Sequence, residues 1–298
     1  VARDNYSTFM EAVTEKIMAK NVENQNANVD ERSFGGRLGE ATRVLTKDYA
    51  IKYCLSDMAR ENHINNRIYI HDLDSFVLGE HNCLTVPIDH LLAEGFKVRQ
   101  TDIRPANSIN TAMQLVAVIF QVQSLMQFGG VSCSHLDWSM VPYIRKSFFK
   151  HYKDGLYWID NMQIPNTFDN TMSILDHRYQ SLSKKAFNYA YTMTKKECDQ
   201  ACEGLFHNLN SLQSRSGNQL PFSSINFGTC TLEEGRMVIH SLLNASINGI
   251  GKFHKTPIFP CSIFQYAKGI NDKLGTPNYD LYRLALKSTA KRLYPNYV

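Results

Sequence analysis

Apolar positions along this chain recur with two periods, three-to-four and two, which predict helices and strands in alternation. Helical spacing covers 6–20. It resumes from about Leu38 to Glu61, after the polar run "NVENQNANVDERSFGGR" with its Gly35–Gly36 turn. Ile68 and Ile70 alternate with their neighbours and predict a strand at 67–72. A loop carrying His81–Asn82–Cys83 follows, then a short helix near 88–94 and a long one from about Ser108 to Phe128. Further helices are predicted over Met140–Lys153, through "QSLSKKAFNYAYTMTKKECDQACEGLFHNLNSLQSR" to about 212, over 232–246 and over Tyr279–Arg292. "LPFSSINFGT" and "IFPCSIFQYAKG" read as strands bounded by turn residues. This alternation gives an α/β class with parallel strands, and the pattern leaves barrel and open sheet both open.

From Pro105 to Leu136 there is no Asp, Glu, Lys or Arg, a run long enough to span a bilayer. It nevertheless contains Asn107, Asn110, Gln114, Gln121, Gln123 and Gln127, and Gly129–Gly130 closes it like a helix C-cap. A buried helix is therefore expected, with no membrane span. The composition agrees: 298 residues, 43% hydrophobic and 20% charged, suit one large globular domain or two smaller ones. A net charge of +4 suits an enzyme that handles anions and is too small for wholesale nucleic-acid binding. Seven cysteines without any CxxC do not form a disulfide framework, so a reducing, cytoplasmic setting is expected. No signal peptide is visible, and the start on Val1 and the end at "RLYPNYV" read as marks of a fragment.

Candidate chemistry is densest in "IYIHDLDSFVLGEHNCLTVP". A metal site could use His71, Asp72, Asp74, His81 and Cys83, but adjacent His71 and Asp72 would point to opposite sides of a strand. A thiol nucleophile needs a base within reach, and His81, two residues from Cys83, is an unspecific partner. A radical-relay thiol is the third reading, and an ordinary packed cysteine competes with all three. Cys198 and Cys202 share a helix face without a second ligand pair. Cys54, Cys133, Cys230 and Cys261 stand alone. "SRSGNQLPFSSIN" places Ser214, Ser216, Gly217 and Asn218 before a strand bearing Ser223, Ser224 and Asn226. These either let backbone amides approach a phosphate or simply turn the chain. Lys146 and Lys150 lie four apart on one helix face. With Asn110, Gln114 and Gln121 nearby they form either a solvated surface or a site for an anion bearing a base.

Six stretches in order resemble one family: "NANVDERSFGGRLGEA", "NNRIYIHDLDSFVLGEHNCLTVPIDHLL", "GFKVRQTDIRPANSINTAMQLVAVIFQVQSLMQFGGVS", "LDWSMVPYIRKSF", "ACEGLFHNLNSLQSRSGNQLPFSSINFGT" and "GTPNYDLYRLALKSTAKRLYPN". All are similar to the anaerobic (class III) ribonucleoside-triphosphate reductase large chain, from about residue 20 to the end. The resemblance implies that 1–298 is the N-terminal part of a ten-stranded α/β barrel of the glycyl-radical enzyme type, without an ATP cone. It implies that Cys83 is an active-site thiol giving hydrogen toward the ribose 2′ position, opposite the initiating thiyl radical. Asn82 and His71 would line that pocket, and Ser223, Ser224 and Asn226 would contact substrate. Helix 108–128 and its neighbour would form a homodimer interface where ATP or a deoxynucleotide acts as effector, with Gln114, Lys146 and Lys150 as its contacts. No metal ligand falls in this part. The glycyl radical, installed by an iron–sulfur/S-adenosylmethionine activase, the thiyl-forming cysteine and zinc-binding cysteines all belong beyond the "YPN" stretch. An enzyme of the pyruvate formate-lyase type, or an inactive nucleotide-binding fragment, is the alternative. The former would use adjacent cysteines, and none are adjacent here.

Overall fold

Ser33 caps the helix that follows it, its Oγ accepting the Gly36 N–H at 3.0 Å and so satisfying an orphan donor of the first turn. The computed structural model describes residues 5–18, 33–78, 81–215 and 218–298. Most of the polar run before Ser33, and Ser216 and Gly217, lie outside the described residues. The chain divides into two units. The first takes the described residues of 1–84 with Gln121–Gly130 and those of 212–221. The second takes Thr85–Phe120, Val131–Ser211 and Phe222–Val298.

In the first unit α1 (Asn5–Ile17) packs on α2 (Phe34–Tyr49), which runs into a π-helical turn at Ala50–Cys54 and is followed by α3 (Asp57–Ile64). The sequence predicts one helix over 38–61. The break comes at Ser56, whose Oγ accepts the Ala59 N–H and starts a new helix at the expense of the old one. The strand expected at 67–72 does not form. Asn66 and Asp72 both have positive φ, and the Ile70 N–H goes to His63 Nδ1 at 3.3 Å, so a side chain takes the donor a ladder would need.

A five-stranded sheet, all but Leu84 of it in the second unit, has the order β1 (Leu84–Thr85), β4 (Val131–Cys133), β5 (Ser223–Phe227), β6 (Cys261–Phe264), β7 (Asn296–Tyr297), with β4 to β7 parallel. A separate hairpin pairs β2 (Phe96–Val98) with β3 (Thr101–Ile103), Phe96 opposite Ile103. The helices are α4 (Ile88–Glu94), α5 (Ile109–Gln123), α6 (Leu136–Ser139), α7 (Val141–Asp160), α8 (His177–Leu182), α9 (Lys184–Ser211), α10 (Glu233–Asn248) and α11 (Tyr279–Arg292). α7 packs on α9, and α10 packs on α9 and α11. One core joins Met113, Phe120, Phe148, Phe206, Ile225 and Leu242. The expected α/β class with parallel strands is what forms.

The uncharged stretch is indeed a buried helix. α5 hides Ala112, Met113, Val116, Ala117 and Phe120 inside its own unit and leaves Asn110 and Gln114 outside. Among the described residues no helix is long and apolar enough to cross a membrane. α5 stops at Gln123, five residues before the expected end, and the Ser124 hydroxyl donates to Gln121 O at 2.8 Å in the turn that follows. Gly129–Gly130 is therefore not its cap.

Candidate active site

In the first unit, the segment 81–84 lies alongside 127–130, and backbone hydrogen bonds fix the register. Phe128 N–H donates to His81 O at 3.1 Å and Leu84 N–H to Gly130 O at 2.9 Å. Between these ties sits Cys83, whose thiol is exposed. Its Sγ accepts the Gly130 N–H at 3.4 Å and faces Asn82 Oδ1 at 3.6 Å. Gln127 closes the arrangement, donating from Nε2 to Gly130 O at 2.6 Å and to Asn82 O at 3.5 Å. A Cβ on Gly129 would stand 1.8 Å from Asn82 O, so only glycine lets the two segments meet.

Arg215 braces this loop from a buried position. Its guanidinium donates to Phe128 O and, at 3.4 Å, to Gly129 O. Burial and the neighbouring Arg43 push its pKa down to about 10, against Asp72, Cys83 and Asp74, so it stays a cation at neutral pH. Arg215 and Gln127 also line a cavity of about 470 Å³ with Thr42, Arg43, Asp74 and Leu125. Such an arrangement holds an exposed thiol rigidly at the end of a short pairing while leaving its hydrogen accessible.

His71 sits exposed in the turn after the missing strand, its Nδ1 3.5 Å from Asp72 and its ring 6.1 Å from that of Tyr69. Among the described residues no hydrogen bond joins it to Cys83 or Asn82. Ser214 shares a hydrogen bond with Ser124 at 3.1 Å, and Asn218, at φ 57°, donates to Ser33 Oγ at 2.7 Å. Among the described residues no three His, Cys, Asp or Glu side chains gather as a metal cluster would need.

The other candidates belong to the second unit. On β5, Ser223, Ile225 and Phe227 are buried, while Ser224 and Asn226 alternate onto the half-open face. Among the described residues Ser223 Oγ meets no hydrogen-bond partner. Cys261, opposite Ser224 in the register, shares that half-open face, its Sγ accepting from Asn296 Nδ2 at 3.5 Å. Lys146, Lys150 and Lys153 line a cavity of about 380 Å³ with Asn107 and Asn170. Lys146 Nζ donates to Ala106 O at 3.1 Å and sits over the Tyr143 ring. Gln114 is exposed on α5, outside that lining. Cys133, Cys198, Cys202 and Cys230 are buried. Burial pushes the Cys230 thiol up to about 12 and raises those of Cys133 and Cys202 as well.

A family model described as anaerobic ribonucleoside-triphosphate reductase matches residues 25–298. The chain belongs to this family. The anaerobic ribonucleoside-triphosphate reductase of Haemophilus influenzae is 32% identical over 300 residues, covering 99% of this chain and 39% of that protein. The chain therefore spans well under half the length of that reductase. Crystal structures of the anaerobic ribonucleotide reductase from Thermotoga maritima share its fold. The form with citrate in the active site has a TM-score of 0.59 at 14% identity, covering 98% of this chain and 48% of that one. The form with dATP in the specificity site has a TM-score of 0.58 at 14% identity, covering 98% and 50%. Family membership disfavours the pyruvate formate-lyase alternative.

Sequence reasoning missed Gln127, Gly129 and Arg215. Gly129 carried a signal in its pairing with Gly130, which the helix reading absorbed. Arg215 looked like any loop cation, because burial is a property of the fold and not of the local sequence.

Proposed function

We propose that this chain forms the N-terminal part of the catalytic barrel of an anaerobic reductase that converts ribonucleoside triphosphates to deoxyribonucleoside triphosphates. The observation that carries the reading is the exposed Cys83 thiol, pinned by Gly130 N–H and flanked by Asn82, within a chain matched by the family along 25–298. A thiol suits hydrogen donation because S–H gives up its hydrogen atom readily, whereas O–H does not. Asn82 orients a ribose hydroxyl and His71, exposed nearby in sequence, moves protons as the 2′-hydroxyl leaves as water. Ser223, Ser224 and Asn226 supply substrate contacts, with Ser224 and Asn226 on the half-open face of the sheet the better placed. The reaction draws on a glycyl radical, which the resemblance assigns, with its activase and the zinc-binding cysteines, to sequence following the "YPN" stretch. This chain contributes the thiol and the pocket walls.

In the same reading, Lys146 and Lys150 hold the phosphates of an ATP or deoxynucleotide effector and Gln114 flanks it, at a homodimer interface. The lysine-lined cavity and the dATP in the specificity site of the Thermotoga maritima reductase support this. The decisive test is Cys83→Ser in the complete enzyme. Folding and nucleotide binding persist, deoxynucleotide formation stops, and free base is released. Cys261→Ser leaves reduction largely intact. Normal reduction by Cys83→Ser would remove the assignment.

A further inference from the structure

The tripeptide Gly228–Thr229–Cys230 follows β5 directly, and buried side chains of the same unit fix its polar groups. Asp137, fully buried in the first turn of α6, gathers three consecutive backbone donors on one oxygen. The N–H groups of Gly228, Thr229 and Cys230 reach its Oδ2 at 2.9, 3.0 and 2.9 Å. Asn271 and Asn278, equally buried, take the carbonyls. Nδ2 of each donates to Gly228 O at 3.1 Å, and Asn278 Nδ2 also donates to Cys230 O at 2.9 Å. These amides are held in turn, Asn271 Oδ1 accepting the Ala267 N–H at 2.9 Å and Asn278 Oδ1 accepting from Arg236 at 2.8 Å. Trp138 Nε1 completes the set by donating to Thr229 Oγ1 at 3.1 Å.

A carboxylate is a costly choice for this place. Burial raises the Asp137 pKa in spite of its three donors, and among the described residues Oδ1 meets no partner. A neutral acceptor would satisfy the same N–H groups without that penalty. What the charge adds is constraint, because charge-assisted hydrogen bonds are shorter and roughly twice as strong as neutral ones. The loop is also tight against β6. Gly228 has φ 129°, and a Cβ there would stand 3.1 Å from Gln265 O. Only Phe227, packed edge-on against Phe264, separates this loop from Asn226. A displacement of the loop is therefore passed straight to Asn226, and beyond it to Ser224, on the half-open face of β5. Resting on the reading that Ser224 and Asn226 contact substrate, we propose that Asp137 is a positioning residue for the reaction. Through the Gly228–Cys230 loop it fixes where Asn226 meets the ribonucleotide, without touching the ribonucleotide itself.

The test is steady-state kinetics of the complete reductase, wild type beside Asp137→Asn and Trp138→Phe, with ribonucleoside triphosphate as the varied substrate. Asp137→Asn keeps the shape and one acceptor oxygen while removing the charge. Trp138→Phe keeps an aromatic ring and removes only the donor to Thr229. A misplaced Asn226 loses binding in ground and transition state alike, so the effect falls on KM and not on kcat. KM rises about tenfold in Asp137→Asn and about fivefold in Trp138→Phe, the equivalent of one net hydrogen bond each. In the 298-residue chain, hydrogen exchange at the Thr229 and Cys230 amides speeds about tenfold in Asp137→Asn. A merely structural role gives the opposite split: fewer folded molecules lower the apparent kcat and leave KM where it was. Wild-type KM in Asp137→Asn therefore overturns the positioning role and leaves the substrate reading standing. If Asp137→Asn does not fold, wild-type KM in Trp138→Phe overturns it in the same way. A wild-type reductase that forms no deoxynucleotide overturns both.

Discussion

Replacing Gly129 by alanine tests the geometry around Cys83 at its tightest point. The added Cβ would lie 1.8 Å from Asn82 O, 2.2 Å from Asn82 C and 2.3 Å from Asn82 Oδ1, and ordinary contact begins at 3.4 Å. Opening from 1.8 Å to 3.4 Å is a shift of about 1.6 Å, and the obstacle is backbone, which cannot rotate away. The 81–84 segment must therefore part from 127–130. Overpacking of this kind costs about 1–3 kcal/mol, which for a chain of this size lowers Tm by about 2–8 °C. The local consequence is sharper. Separation removes the Gly130 N–H from Sγ and unpins the loop that holds Cys83, so its alkylation rate changes about fivefold, the equivalent of one net hydrogen bond. The measurement is maleimide labelling in a Cys54→Ser background, because Cys54 is the other fully exposed thiol among the described residues. Gly204→Ala in α9 is the internal control, since a Cβ there meets nothing within 4 Å and a helix-interior alanine stabilises by about 0.5–1 kcal/mol. A Gly129→Ala chain with wild-type Tm and labelling rate would refute the close approach.

Arg215→Met keeps much of the side-chain volume but removes the donor to Phe128 O and Gly129 O, costing about 1–3 kcal/mol in urea unfolding. Arg215→Lys should recover little of it, because an ammonium cannot span two carbonyls as a guanidinium fork does, and full recovery would contradict the bracing role. Glu197, with a folded pKa below its ordinary 4.5, contributes stability that is present above the unfolded value and lost as pH falls through the folded one. Glu197→Gln should flatten the dependence of Tm on pH below about 4.5, and an unchanged slope would show that the carboxylate is not the group responsible. Lys150→Ala should abolish any strengthening of self-association by deoxynucleoside triphosphate in analytical ultracentrifugation, by removing a charge-assisted phosphate contact. Persistence of the response would move the phosphate site elsewhere.

The helices were the most legible part of this chain, and for a physical reason. α4 and α11 begin and end where apolar periodicity does, at Ile88–Glu94 and Tyr279–Arg292, because nothing inside them competes for backbone donors. Where a side chain does compete, as Ser56 does, one predicted helix becomes two. Short strands escaped. β4 and β7 have three and two residues, too few to establish an alternation, and are strands only because β5 and β6 lie beside them. Ile68 and Ile70 show the reverse error, since alternation without a partner edge makes no strand. For the site, Cys83 and Asn82 could be picked out as residue types in a dense polar stretch. What holds them, Gln127, Gly129 and Arg215, comes from segments remote in sequence and is defined only by backbone carbonyls that any residue could offer.

The unequal burial of the cysteines has a consequence for how this protein ages in air. Oxidants attack thiolates that they can reach; burial withholds access from Cys133, Cys198, Cys202 and Cys230, and also the charge from Cys133, Cys202 and Cys230. Cys83 has no such shelter: its thiol is exposed, and what is open to solvent is open to a peroxide. Oxidative injury will therefore fall on the surface thiols while the interior, and with it the melting curve, stays intact. A sample stored aerobically can look pristine by every measure of folding and still carry a sulfenic or sulfinic acid at Cys83, the thiol proposed to give hydrogen to substrate.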